Sequence, residues 1–379
     1  MKNCIVFMMI ICIFLCGCIR EDENIVSKTQ QIDNIREEEI TCVIEVRDIE
    51  QWAIDNKGEF PSFLGNLNSW EWDEQVAIAG CDINLEECAN KGQRDCIVAI
   101  VDTEVDVFHR DYQQIWMNNE EIENDGIDND NNGFIDDIYG WNFCNNTNNI
   151  WCDEKEFSSH GTFLTGIMCA KNDRFNGVFV NSKCKVMCVK ALEGENAVGE
   201  IDNIIRGINY AEDNGAKICC LSFSTYAYND KLYECMRKSK MLFITPSANQ
   251  GLELCDELMV YPACYELDNI ICVGDMRCDG NLSLISNYGK EYVDIAAPGT
   301  DIISTIPQNK YGCESGSSCA VPYVAGLAGL IYSCYEIELN ACEIKSVICE
   351  NVTYNEKLKS KIKYQGFVNY KKALSYKMQ

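Results

Sequence analysis

Short apolar runs recur through the middle of the chain. The clearest is Cys96-Ile97-Val98-Ala99-Ile100-Val101, apolar at every position. A strand with one wet face alternates apolar and polar residues, so an unbroken run marks a strand buried on both faces. Similar runs occupy 184–189, 218–223, 241–245 and 270–273. Helical patterns lie between them. Ile201, Ile204, Ile205 and Ile208 fall on one helix face, 163–169 reads as an apolar helix start, and 319–335 predicts a long buried helix. Strand and helix alternate from about 95 to 335. That order predicts an α/β fold of three layers, with a mostly parallel central sheet and helices on both faces. No internal repeat or low-complexity tract interrupts it.

The N-terminal region breaks the pattern. Lys2 precedes an almost unbroken apolar run at 5–15, too short to span a membrane comfortably. It ends in Leu15-Cys16-Gly17-Cys18 and a polar stretch. This reads as an export signal over 1–18. Leu-x-Gly-Cys also resembles the bacterial lipoprotein box, which implies lipidation of Cys18 and a membrane tether at the cell surface. Simple signal cleavage and an uncleaved anchor are the alternatives, and all three place the remainder outside the cytoplasm. Residues 19–40 are charged and aperiodic, as a flexible tether would be. Within 41–66, Cys42-Val43-Ile44-Glu45-Val46 predicts a strand and 48–54 a short helix, which together read as a reduced pro-segment. The division is therefore a signal at 1–18, tether and pro-segment at 19–68, and a catalytic-size domain at 69–379.

Charge narrows the choice of partners. The formal net charge is -27, from 32 Lys+Arg against 59 Asp+Glu. Such a surface repels phosphate backbones and excludes nucleic acid as a natural partner. It favours cations or basic peptide stretches. The 25 cysteines are scattered without regular spacing. Many stand where a small hydrophobe would serve, as in Cys219-Cys220 and Cys272, which predicts buried free thiols. With only two histidines, no zinc array is spelled out. The chain is read as a monomer.

Three residues carry the chemistry. Asp102 follows the first buried run, and the carboxyl ends of strands are where α/β sheets gather active sites; alone it could equally be a turn residue. His160 precedes Gly161-Thr162 at a helix start, where a loop or capping histidine is the plain alternative. Ser318 stands in Gly316-Ser317-Ser318-Cys319-Ala320-Val321-Pro322, ahead of the long helix. A serine there is usually a cap, yet the free N–H groups of a helix start can also stabilise an oxyanion. A hydroxyl becomes a nucleophile only when a base takes its proton and a carboxylate orients that base. The chain offers the set in the order Asp, His, Ser.

With these neighbours the resemblance is to the subtilisin family of serine peptidases. Val98-Ala99-Ile100-Val101-Asp102-Thr103, Ser159-His160-Gly161-Thr162 with Gly166, and Gly316 to Pro322 with Val324-Ala325-Gly326 are similar to its three catalytic motifs. Ser247-Ala248-Asn249-Gln250-Gly251 resembles the segment carrying its oxyanion-hole amide, a role the resemblance gives to Asn249. Tyr261-Pro262-Ala263, Ser286-Asn287-Tyr288-Gly289 and Ala296-Ala297-Pro298-Gly299 resemble further landmarks. The likeness implies a subtilisin-like fold and peptide-bond hydrolysis through an acyl-enzyme, with a peptide or protein as substrate. The segments that would hold it are 196–199, including Gly199, and 221–225, with Leu221, Ser222, Phe223 and Ser224. The bulk of 222–225 predicts a restricted first pocket, suited to selective processing of a secreted peptide or bacteriocin leader. Several positions depart from the family: Glu104 stands for glycine, Phe163 for histidine, Ala248 for glycine and Cys319 for methionine. Glu104 would bring a negative charge toward the triad and raise the His160 pKa.

An acidic insertion occupies 118–143. Asp128, Asp130 and Asn132 alternate ahead of Gly133, like the first half of an EF-hand loop. The Phe134 carbonyl with Asp136 or Asp137 would complete a Ca2+ shell; Tyr139 stands where an EF-hand has glutamate. A solvated acidic loop is the alternative. The competing function is a non-catalytic, calcium-stabilised binding lipoprotein on the same scaffold.

Overall fold

In the computed structural model the first buried run becomes an interior strand of the main sheet, one in from its edge. The structure describes residues 42–43, 51–58, 77–85, 92–151, 158–171, 177–179, 182–194 and 197–376. All fall in one unit, Ile40–Gln379; Cys18 and the 19–40 tether lie outside the described residues. The strands are β1 Cys42–Val43, β2 Cys96–Asp102, β3 Cys184–Lys190, β4 Ile218–Cys220, β5 Leu242–Pro246, β6 Ile270–Met276, β7 Ile295–Pro298, β8 Ile302–Ile306, β9 Lys310–Glu314, β10 Thr353–Tyr354 and β11 Gly366–Phe367. The α-helices are α1 His160–Cys169, α2 Ile201–Asp213, α3 Asp230–Lys238, α4 Ser317–Cys334, α5 Ala341–Glu350 and α6 Tyr370–Ser375.

Among the described residues the main sheet has eight strands in the order β10-β11-β7-β6-β5-β4-β2-β3. Every pairing in it is parallel except β10 with β11. Side chains of β2 alternate between two cores. Val98 and Ile100 join α1, α4, α5 and α6 on one face, while Ala99 and Val101 join α2 and α3 on the other. This explains the unbroken run: both faces of the strand are covered. The cysteines behave the same way. Cys96, Cys188, Cys219, Cys220 and Cys272 are buried free thiols in these cores.

Strands β3 and β4 flank β2 on opposite sides. The chain therefore reverses its winding direction at the carboxyl end of β2, where sheets of this kind form their ligand crevice. Asp102 is the last residue of that strand. The helix α4, long and apolar enough to cross a membrane, is instead 89% buried. It lies across β2, β4, β5, β6 and β7 and so fixes Ser318 over the same end of the sheet.

Two expectations need correction. The strand predicted over 218–223 stops at Cys220. Leu221 N still donates to Ile244 O at 3.0 Å, but Thr225 instead exchanges two backbone bonds with Tyr261, at 2.8 and 2.7 Å. Residues 222–224 thus leave the ladder, pulled away from β5 by the Tyr261 loop. Residues 51–56, within the stretch read as a reduced pro-segment, pack into the domain, and the short helix read over 48–54 is what changes. Trp52 and Ala53 are in the larger core. Trp52 Nε1 donates to Thr300 O at 3.1 Å and Gln51 Nε2 to Ile303 O at 2.8 Å. Residues 51–54 form a turn, Ile54 N to Gln51 O at 3.1 Å; 48–50 of the predicted helix lie outside the described residues. Upstream, β1 extends a small antiparallel sheet, β1-β9-β8.

Candidate active site

The end of β2 and the start of α1 are stitched together. Gly161 N donates to Thr103 Oγ1 at 2.9 Å and Asp106 N to Thr162 Oγ1 at 3.0 Å. A side chain at Gly161 would begin 2.8 Å from the backbone oxygens of Thr103 and Glu104. Glycine is what lets the helix start touch the strand end. That approach places the His160 ring on Asp102, with Nδ1 2.7 Å from Oδ1. The same oxygen accepts Thr103 N–H at 2.7 Å. Asp102 is fully buried, whereas the His160 side chain is 15% exposed. An ionised carboxylate only accepts, so the Nδ1 proton lies between them and Nε2 is left as the basic nitrogen of the neutral ring.

Ser318 is half-buried in the first turn of α4. Asn249 reaches the same turn from the loop after β5. Its Oδ1 accepts Ser317 N at 2.8 Å and Ser317 Oγ at 2.9 Å. With the oxygen held there, the amide Nδ2 is the end turned outward as a donor. A carbon placed on Gly316 would stand 3.1 Å from Asn249 Nδ2 and 3.5 Å from Ser318 Oγ. Nucleophile and amide thus border one small volume, which a bare glycine keeps clear. The Ser318 N–H lies in the first helical turn, where intrahelical geometry gives it no acceptor. A carbonyl oxygen in that volume would meet two donors, the arrangement that stabilises a tetrahedral oxyanion.

The loop carrying Asn249 is held by Asn287, whose Oδ1 accepts from Gln250 N at 3.1 Å and Leu252 N at 2.9 Å. Ala248 has φ +72°, a left-handed conformation that costs a residue with a Cβ about 1–2 kcal/mol. Asn287 N donates to Ala248 O at 2.9 Å and helps hold it. An amide acting on charge present only in the transition state would make Asn249→Ala lower kcat about 10²–10³-fold with little change in KM. Steady-state kinetics on a peptide substrate would check this, and a loss confined to KM would remove Asn249 from that role.

Of the substrate-facing candidates, Leu221 is placed otherwise. Its side chain is fully buried in the α2–α3 core, so it offers a ligand no side-chain surface. Ser222 is buried, Phe223 half-buried and Ser224 exposed. Gly199 follows a tight backbone exchange between Glu193 and Val198, at 2.9 and 3.1 Å; Asn196 lies outside the described residues. Glu104 is buried against Lys190, Nζ to Oε2 3.1 Å. The charge expected to act on His160 is therefore paired.

In the insertion the carboxylates that converge are Asp128 and Asp130 of the predicted set, joined by Glu121 in place of Asp136 or Asp137. Oxygens of Glu121, Asp128 and Asp130 lie within 4.8 Å of one another. Asn132 accepts Phe134 N through its Oδ1 at 2.8 Å. Asp136 turns its carboxylate to Asp125 N and Gly126 N, at 3.1 and 3.0 Å. Asp137 is fully buried and accepts from Asn118, Asn132 and the Tyr210 hydroxyl; burial raises its pKa. The Phe134 ring anchors the loop on Trp141, Phe143 and Tyr210. Glu121 was legible only as one more acid in the tract, since nothing local shows which carboxylates converge.

Residues 93–367 match the family described as the subtilase family of S8 peptidases. The chain belongs to the subtilase family of serine peptidases. It is 31% identical over 301 residues to "Subtilisin-like protease 1" of Plasmodium falciparum (isolate 3D7), a match covering 73% of this chain and 43% of that protein. Against the "Major intracellular serine protease" of Bacillus subtilis (strain 168) the identity is 34% over 247 residues, covering 64% of this chain and 69% of the relative. Among solved structures, the epidermin leader peptide processing serine protease from Staphylococcus aureus superposes with a TM-score of 0.59 at 21% identity, covering 76% of this chain and 78% of that one. Its likeness bears on the fold. The chain spans less than half the length of the Plasmodium relative.

Proposed function

We propose that this protein is a serine endopeptidase in which Ser318 attacks the scissile carbonyl, His160 Nε2 takes the hydroxyl proton and returns it to the leaving amine, and Asp102 orients the ring. Asn249 Nδ2 and Ser318 N–H receive the oxyanion. The observation that carries the reading is the shared geometry at Gly316. Donor and nucleophile border one cleared volume, at the end of the sheet where Asp102 and His160 are already bonded. An extended peptide would lie along 222–225, whose backbone leaves the β4–β5 ladder. The acidic surface favours substrates with basic stretches. Selective processing of a secreted leader peptide is supported by the bulk of the 222–225 segment. The lipoprotein-like Leu15-Cys16-Gly17-Cys18 supports surface anchoring through Cys18.

A fluorophosphonate probe, which reacts only with activated serines, tests this directly. The label is expected on Ser318 by peptide mass mapping, and in the membrane fraction of cells expressing the full chain. No labelling of folded protein would instead favour a binding role for the scaffold.

Calcium belongs to the same reading. The Glu121, Asp128 and Asp130 oxygens form an all-oxygen, anionic set of the kind that takes this hard cation. When bound, it would neutralise carboxylates crowded together and so stabilise the loop. Chelation is expected to lower the melting temperature by several degrees, and Glu121→Gln to abolish most of that response. A melting curve indifferent to added calcium would rule the site out.

A further inference from the structure

Glu104 stands where the family resemblance leads one to expect glycine. Its side chain is 2% exposed and that of Lys190 8%. Burying either charge alone would cost several kcal/mol, so their placement 3.1 Å apart is a matched arrangement. The geometry around them leads to the triad from both sides. Lys190, last residue of β3, lies in register opposite Asp102 on β2. Glu104 Oε1 accepts Ser158 N at 2.6 Å, and the Ser158 hydroxyl accepts His160 N at 3.2 Å. The pair thus runs from the strand end bearing the catalytic acid to the turn that delivers the base.

We propose that Glu104 and Lys190 are positioning residues for this active site: their buried ion pair fixes the backbone entering α1 just ahead of His160 and keeps the local charge around the triad balanced. The proposal rests on the reading of Asp102, His160 and Ser318 as a working triad. Other groups face this corner from the elements packed on it. Glu314, at the end of β9, accepts from Ser159 Oγ at 3.1 Å. Burial, then Glu193, raises the Cys144 thiol to about 11, with Lys190 opposing and Glu104 and Glu200 adding. Among these groups Lys190 is the one permanent cation, set against Asp102, Glu104, Glu193, Glu200 and Glu314. Removing it leaves, among these groups of the described residues, carboxylates only.

The test uses the full chain with calcium present and follows the second-order rate of fluorophosphonate reaction against pH. The wild type is measured first, and its failure to label at Ser318 overturns the triad reading itself. With wild-type labelling established, three variants bear on the pair. Glu104→Asp keeps the charge but withdraws the acceptor from Ser158 N–H. It is expected to react about tenfold more slowly with its acid limb unmoved. Lys190→Met is expected to shift the acid limb to higher pH, and Glu104→Gln to lower pH, each by about half a pH unit. A negative field stabilises the protonated ring and a positive field opposes it, so the two signs must differ. A merely structural role would not produce opposite shifts. Glu104→Asp reacting at the wild-type rate overturns the positioning role. Neutralising variants that move the limb together, or not at all, overturn the charge-balancing role. Should either neutralising variant fail to fold, Glu104→Asp, with its charge balance intact, still decides.

Discussion

Ser318→Ala is expected to reduce turnover about a million-fold, and His160→Ala by a similar factor, a magnitude established for a subtilisin triad rather than read from this structure. Without the Ser318 hydroxyl there is no atom to take the acyl group. Without His160 that hydroxyl keeps its proton at neutral pH and is a poor nucleophile. Because the two residues perform one step together, the double variant should lose no more than either single one. What survives in each comes from the Asn249 amide and the helix-start N–H, which polarise a carbonyl for attack by water. Substrate affinity should change little, since neither side chain holds the peptide backbone. Kinetics on a peptide substrate, with mass spectrometry for the acyl adduct, would check both points. Turnover within tenfold of wild type in Ser318→Ala would place the nucleophile elsewhere.

The parts of this site that could be read from the sequence are those set by local pattern. Unbroken or nearly unbroken apolar runs marked β2, β5 and β6 because a strand covered on both faces cannot alternate, and β3 despite the exposed Lys185. The segments around His160 and Ser318 stood out because each sets a reactive residue beside a glycine that permits close approach, Gly161 and Gly316, and Asp102 because it ends a buried run. What stayed hidden depends on partners distant in the chain. The two-residue strands β10 and β11 carry no periodicity. The pairing of β1 with β9 joins residues far apart in sequence. Lys190 extends a run read as ending at Val189; a buried lysine has no local signature, since only Glu104, on a different strand end, makes it tolerable. Leu221, which the resemblance put in the substrate-holding segment, has its side chain in the α2–α3 core, so any part it takes there falls to its backbone.

Asp102→Asn is expected to lower turnover about ten-thousand-fold, although the change removes no volume. The reason lies in the two bonds on Oδ1. His160 Nδ1 and Thr103 N both donate to it, each at 2.7 Å, while Oδ2 is buried with no hydrogen-bond partner among the described residues. An asparagine has two ways to sit there. With its oxygen at the Oδ1 position both donors are satisfied, but the NH2 is then buried without an acceptor, at a cost of about 1–3 kcal/mol. With the amide reversed, the NH2 faces His160 Nδ1 and forces the proton onto Nε2, where it blocks the base, and Thr103 N–H loses its acceptor. Neither arrangement supplies the negative charge that stabilises the imidazolium formed as Ser318 attacks. The loss should therefore fall on kcat, with KM nearly unchanged and the fold intact by circular dichroism. A drop of less than tenfold would mean that the Asp102 charge does little for His160, and that the ring is oriented chiefly by its place at the start of α1.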